Sequence, residues 1–412
     1  MMRRTPLEIN NMELLLKDVR IVDFNKDFNG DIYIKNGIIE EVEREIKRDC
    51  RTIACKGFVA LPSFVDMHCH FRDPGFTYKE DIETGSHAAA KGGYTGVNLM
   101  ANTNPPCSTM DTVNYVLNKA KAIGIVDFHQ TVSITKDLKG KSIDHLDDIT
   151  YPVRFISDDG KGVYDDRLMY EAMEKAKKLN LTVISHAENE EITPIDTRLS
   201  ENIETVRNIC LAENTKARLH MAHVSTKEAM DAIIEAKIRG VDVTCEVTPH
   251  HIYLDNSFDY RVNPPLRDRE DIEFLIDAIK NNYVDVISTD HAPHSLEDKK
   301  NGAPGISGIE TAFSVCFTAL VQENNITLNK LSEIMSKNPS QIMGLNKGKI
   351  EKGYDGDITI VDINKKVKVD SKEFASKGKN TPFDGMELFG EVVMTIKGGK
   401  IVYSKGDNID DN

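Results

Sequence analysis

Residues 64–70 read FVDMHCH: a short apolar run that breaks into His68-Cys69-His70. It is the first of eight such runs. The others are YTGVNLMA (94–101), VDFHQTVSI (126–134), PVRFISDD (152–159), LTVISHAE (181–188), ARLHMAHVS (217–225), VDVTCEVTP (241–249) and VDVISTDHA (284–292). Between most of them lie stretches whose apolar residues recur at i, i+3 and i+4. Examples are DTVNYVLNKAKAI (111–123), DRLMYEAMEKAKKL (166–179) and TKEAMDAIIEAKIRG (226–240); that period is helical. The interval around IDHLDDI (143–149) carries the weakest helical pattern. Eight β runs alternating with helices over residues 61–345 predict a closed (β/α)8 TIM-type barrel. A doubly wound open sheet would instead gather its ligand residues at one switch point.

Both flanks differ from this middle. LLLKDVRIVD (14–23) and GDIYIKNGIIEEV (30–42) on one side are β-rich and punctuated by Gly and Asn-Gly. GDITIVDI (356–363) and GEVVMTIKGGKIVYSK (390–405) on the other side read the same way. Chain termini often lie close together. Residues 1–60 and 346–412 are therefore expected to form one small, discontinuous, β-sandwich-like domain. The acidic end DNIDDN (407–412) reads as a frayed tail.

The 412 residues are 40% hydrophobic and 29% charged, enough apolar material for a large core. A net charge of −14 argues against a nucleic-acid backbone or an anionic membrane as partner. No apolar run reaches 18 residues, and the first 19 lack the apolar core of a signal peptide. Seven scattered cysteines, none in a CxxC pair, read as free thiols of a cytoplasmic protein.

Polar residues stand where the runs end: His68 and His70, Asp158 and Asp159, His186, His223, Asp290 and His291. Barrel enzymes build their sites from the carboxyl ends of the strands, so these side chains can converge. Four of these histidines and two of the carboxylates would make a set that suits Zn²⁺ or a related divalent ion. His68 and His70, two apart on a strand, share a face, and Cys69 between them faces away as a buried thiol. His220 and His291 read as structural by the same alternation. His250 and His251 close the seventh run and could line the pocket.

VDMHCHFRDPG (65–75) and TDHAPH (289–294) sharpen this reading, and the pattern continues in Met100-Ala101-Asn102-Thr103, Asp158-Asp159-Gly160, VISHAEN (183–189), MAHVST (221–226), EVTPHH (246–251), VNPPLR (262–267), GISGIET (305–311) and SKGKNTPFDG (376–385). Over nearly its whole length the chain resembles the class I dihydroorotases of the cyclic amidohydrolase superfamily. The resemblance implies reversible cyclisation of N-carbamoyl-L-aspartate to L-dihydroorotate in pyrimidine biosynthesis, at a binuclear metal site with a bridging hydroxide. It implies that His68, His70 and Asp290 hold one Zn²⁺, that His186 and His223 hold a second, weaker one, and that Asp159 bridges them. Asp158, on the opposite strand face, reads as structural. Asp290 would be general base and then acid.

The substrate carboxylate would meet Arg72, Asn102 and His294, and the ring would meet Asn263 and the backbone at Pro304-Gly305; His70 also borders the substrate. A homodimer is expected, with possible association with aspartate carbamoyltransferase. Hydantoinases and allantoinases, the nearest rivals, bridge their ions with a carbamylated lysine, and the fourth run contains no lysine. A catalytically dead scaffold would have lost ligands that this chain keeps. One departure stands out: only 37 residues lead from His186 to His223, short for the family. The rim there, and the subunit contacts it carries, are expected to differ.

Overall fold

A computed structural model describes residues 12–406; the tail at 407–412 lies outside the described residues. Eight parallel strands run through the middle of the chain: β6 (Phe64–Cys69), β7 (Tyr94–Leu99), β8 (Asp127–Gln130), β9 (Phe155–Ile156), β10 (Thr182–Ser185), β11 (Arg218–Met221), β12 (Val243–Val247) and β13 (Val286–Ile287), after β1–β5 of the flanking domain. They form two arcs, β6-β7-β8 and β9-β10-β11-β12-β13. Parallel bridges close the ring, Val132 to Ile156 on one side and Cys69 to His291 on the other. Every residue of β6 and β7 is buried, which is why these strands read as near-continuous apolar runs. Val65, Met67, Phe155, Ile184, Ala222 and Val286 form one cluster. They come from strands on opposite sides of the ring, which can meet only inside it.

Helices cover the outside: α1 (Ile82–Lys91), α2 (Met110–Ile123), α3 (Asp166–Lys178), α4 (Thr197–Thr215), α5 (Lys227–Ile238) and α6 (Arg269–Lys280). Their starts follow the sequence. Asp81, Thr109, Asp165, Asp196 and Thr226 each accept a hydrogen bond from a first-turn backbone N–H, as N-caps do. Between β8 and β9 only two short 3-10 turns form, Lys136–Leu138 and Asp144–Asp148. Three aspartates in five residues favour turns over helix, in line with the weak periodicity there.

The flanking strands β1 (Glu13–Val22), β2 (Asp27–Lys35), β3 (Ile38–Glu43), β4 (Arg51–Ala54), β5 (Val59–Pro62), β14 (Ile358–Lys368), β15 (Glu387–Lys397) and β16 (Lys400–Ser404) join in one sheet, ordered β16-β15-β14-β5-β1-β2-β3 with β4 beside β1. The two ends of the chain meet where β14 pairs antiparallel with β5, Ile358 opposite Pro62. Leu14, Leu16, Ile21, Ile32, Ile358, Ile360 and Ile396 supply its core. β5 runs directly into β6, so this domain anchors the strand that carries the first two histidines.

Candidate active site

The carboxyl ends of the barrel strands converge as the run endings predict. His68 Nε2 lies 3.1 Å from Asp159 Oδ1 and 3.6 Å from Asp290 Oδ1. His70 Nε2 lies 3.1 Å from Asp290 Oδ1 and 3.5 Å from Asp159 Oδ2. His186 Nδ1 is 2.8 Å from His223 Nε2 and 3.4 Å from Asp159 Oδ1. The donor atoms of His68, His70 and Asp290, and separately those of His68, Asp159 and His223, all fall within 4.8 Å of one another. His68 Nε2 is fully buried and makes no hydrogen bond. A buried imidazole nitrogen aimed at two carboxylates, with three more imidazoles around them, fits a divalent cation better than any internal pairing.

Asp158 and Asp159 part company. Asp158 turns away, accepting from the Thr135 backbone N–H at 2.9 Å and from the Thr135 hydroxyl. Burial pushes its carboxyl up to about 6, against those hydrogen bonds. Asp159 faces the histidines. Burial raises its carboxyl too, but the charges of His68 and His70 outweigh that and hold it well below the usual range. Asp290 is likewise held down, the hydrogen bond from His70 and the neighbouring imidazoles overcoming burial. Burial and the charge of His186 push His223 down to about 3.

Three residues here adopt left-handed backbone without being glycine: Arg72 (φ 59°), His223 (φ 33°) and Asp290 (φ 46°). Such conformations typically cost about 1–3 kcal/mol and persist where the surroundings over-determine them.

A cavity of about 200 Å³ opens above the cluster. Its walls include Arg72, Asn102, Asn263, His294, Pro304 and Gly305, together with His70, Asp159, His186, His223 and Asp290. The Arg72 guanidinium is 3.3 Å from His294 Nε2 and 3.4 Å from the Pro293 carbonyl. Burial, with the charges of Arg72 and Lys79, pushes His294 down to about 3, so its ring is neutral at ordinary pH. Gly305 has φ +133°, and a Cβ there would stand 2.7 Å from Ala292 Cβ; only glycine brings this backbone so close to the wall. Asn102 bridges two groups, Oδ1 at 2.8 Å from His70 Nδ1 and Nδ2 donating to Asp159 Oδ2 at 3.1 Å.

Other residues take supporting places. Cys69 is buried with Sγ toward the Asn98 carbonyl, and His220 sits between Thr244 and Glu246. His291 turns to Glu80, and its Nδ1 accepts from the Gly308 N–H. His251 is held by Thr248 and the Pro264 carbonyl. Neither His250 nor His251 lines the cavity.

Three residues that contact the site escaped the sequence reading. Glu246 Oε1 lies 2.7 Å from His68 Nδ1, and its Oε2 takes His220 and Ser288. Glu188 Oε2 lies 2.9 Å from His186 Nε2 and accepts from Asn263 at 3.0 Å. Carboxylates in these places fix the orientation of a ligating histidine. Asn380 accepts from the His294 N–H and the Ser307 hydroxyl, both at 2.8 Å, and donates to the carbonyls of Ala292 and Gly305 at 3.2 and 3.0 Å. It ties two walls of the cavity to the segment after β14. A charged residue inside the apolar run VDVTCEVTP was the available signal for Glu246; nothing local marked the other two.

Residues 59–402 match the sequence profile of the amidohydrolase family. This chain belongs to the amidohydrolase family. Such enzymes are metal-dependent, in keeping with the donor cluster. Relatives of this amidohydrolase include a dihydroorotase of Clostridium botulinum, 53% identical over 96% of this chain and 100% of the relative. A dihydroorotase of Acetivibrio thermocellus is 40% identical over 94% and 98%. Among solved structures, the dihydropyrimidinase of Brevibacillus agri superposes with a TM-score of 0.87 at 23% identity, covering 95% of each chain. That likeness fixes the fold of the amidohydrolase, barrel and flanking sheet together. The nearer sequence relatives bear the dihydroorotase name, so the hydantoinase alternative is not favoured.

Proposed function

We propose that this amidohydrolase is a dihydroorotase, interconverting N-carbamoyl-L-aspartate and L-dihydroorotate. The observation that carries the reading is the joint placement of a six-residue donor cluster and the half-buried Arg72 around one cavity. A cyclic amide bearing a carboxylate needs both: a hydrolytic centre and an anion anchor. His68, His70 and Asp290 would hold one ion and His186 and His223 another, with Asp159 between them; nitrogen and oxygen donors in this number suit Zn²⁺. Bound there, the ions supply Lewis-acid polarisation of the carbonyl and a water acidic enough to attack near neutral pH.

The residues do the rest. Arg72 presents a planar fork to the substrate carboxylate, with neutral His294 and the Asn102 amide beside it. Asn263 and the backbone at Pro304-Gly305 border the ring. In the hydrolytic direction Asp290 takes the proton of the attacking water and returns it to the departing ring nitrogen; ring closure reverses these transfers. The working form is a cytoplasmic homodimer, open to association with aspartate carbamoyltransferase.

The test is metal analysis beside a dihydroorotate hydrolysis assay, with hydantoin and allantoin as controls. Turnover of dihydroorotate alone supports the reading, and preference for either control defeats it. Asp159→Ala should deplete the His186/His223 ion while Asp158→Ala leaves both ions in place. Reconstitution with Zn²⁺ should be complete without CO₂, since a carboxylate needs no carbamylation.

A further inference from the structure

Helix α4 distributes its side chains against the usual rule for a barrel helix. Its inward positions are largely polar: Ser200, Glu201, Glu204, Thr205, Asn208 and Thr215 are buried, with Ile209 and Ala212 the apolar exceptions. Glu201 accepts from Arg267 at 2.9 Å and from Ser225, and Asn208 donates to Ser185 at 2.8 Å. Its outward positions are apolar. Ile195, just before the helix, is 80% exposed, Leu199 45%, Ile203 39% and Val206 56%, and Cys210 is exposed as well. Intervals of 4, 4, 3 and 4 residues place all five on one stripe. The outer faces of α3 and α6 are mainly charged instead, with Arg167, Glu171 and Lys178 on α3, where Tyr170 is also exposed, and Glu270, Glu273 and Asp277 on α6. A continuous apolar stripe of this kind marks an interaction surface.

Sideways, α4 is already tied to its neighbours. Arg198 pairs with Glu228 of α5 and Asp271 of α6, and Arg207 with Asp166 of α3. The stripe therefore faces outward, away from every other element of the chain.

Charge selects its occupant. The stripe's beginning is acidic, with Glu190, Glu191 and Asp196, and Asp165 and Asp166 start α3 alongside. Its end is basic, with Lys216 and Arg218, and Lys177 and Lys178 finish α3. Of the opposite charges, Glu213 at the basic end is engaged by Arg239 at 3.4 Å, and at the acidic end Arg198 is engaged by Glu228 and Arg167 by Glu171. Glu190 and Lys216 have no ion-pair partner among the described residues. A face with ends of opposite sign is complementary to itself after a two-fold rotation, which also sets the two helix dipoles antiparallel. Two copies that each carry a net charge of −14 need such local complementarity to meet.

We propose that this face is the interface between two copies of the chain, α4 lying antiparallel to the α4 of its partner about a two-fold axis near Ile203. The proposal rests on the dimer reading above and gives it a surface. It also joins assembly to the site. The Ser200 hydroxyl of α4 holds the Asn189 N–H at 2.7 Å, and that loop carries His186 and Glu188.

Sedimentation velocity on the full chain at micromolar concentration should give twice the chain mass. Ile203→Glu with Val206→Glu should give the single-chain mass, whereas Ile238→Glu, an exposed apolar site on α5, should leave the dimer intact. In a Cys210→Ser background, oxidised Ile203→Cys should cross-link two chains. Native Cys210 should not, because seven residues from the axis on each side sets the two sulfurs about 20 Å apart. A monomeric wild type overturns the dimer reading and this surface with it. A dimer that survives both glutamates, or lacks the Ile203→Cys cross-link, overturns the surface alone. Ready cross-linking through Cys210 overturns the antiparallel arrangement.

Discussion

The two halves of the donor cluster are built to different standards. The half made by His68, His70 and Asp290 is locked from behind. His68 leans on Glu246, which is fully buried and also engages His220 and Ser288. His70 leans on Asn102, itself fixed to Asp159. The half made by His186 and His223 has its two rings in direct contact, and the carboxylate behind His186, Glu188, is half-buried beside the cavity. A ligand whose second nitrogen is held in a dry, fully engaged network loses little freedom on binding an ion; one held at a wet edge loses more. On the proposed reading the first half would hold its ion the more firmly, and the second would be the one to yield first to a chelator.

Four substitutions sharpen or break this contrast. Asp290→Asn keeps an oxygen donor but removes the proton acceptor from the firm half. It should retain metal while kcat falls about 10²–10⁴-fold, and near-normal turnover would remove Asp290 from its role. Arg72→Met leaves both halves loaded and removes the carboxylate anchor. A charge-assisted hydrogen bond contributes about 1.5–3 kcal/mol, so kcat/KM should fall roughly ten- to hundredfold, chiefly through KM; unchanged kinetics would place the anchor elsewhere. The last two form a pair. Glu246→Gln and Glu188→Gln should each weaken metal retention, by about 10–100-fold for changes behind a ligand. Titration with a chelator should show Glu246→Gln emptying the first half and Glu188→Gln the second, with the smaller effect for Glu188. The reverse order would show that the half-buried carboxylate is the stronger support.

The sequence carried the barrel well, because strand and helix periods are local and eight alternations leave few topologies open. The convergence of the donor residues was legible for a related reason. In a barrel every strand delivers its carboxyl end to one rim, so a polar residue terminating an apolar run is placed without any knowledge of distance. Alternation along a strand also separated Cys69 from its flanking histidines.

Local pattern stopped at three points. Which of Asp158 and Asp159 enters the site depends on how the end of β9 turns, and the Thr135 hydrogen bonds that take Asp158 away come from another strand's loop. Glu246 meets His68 across 178 positions and Asn380 meets His294 across 86, so neither contact has a spacing to read. The outward apolar stripe of α4 reads, in sequence, like any buried helix face, since periodicity reports that a face is apolar and not which way it points. That direction was decided by tertiary structure: Glu201, Arg267 and Ser225 form a buried network behind the active-site loop. Because the polar side of α4 joins that network, its apolar side is turned to the surface.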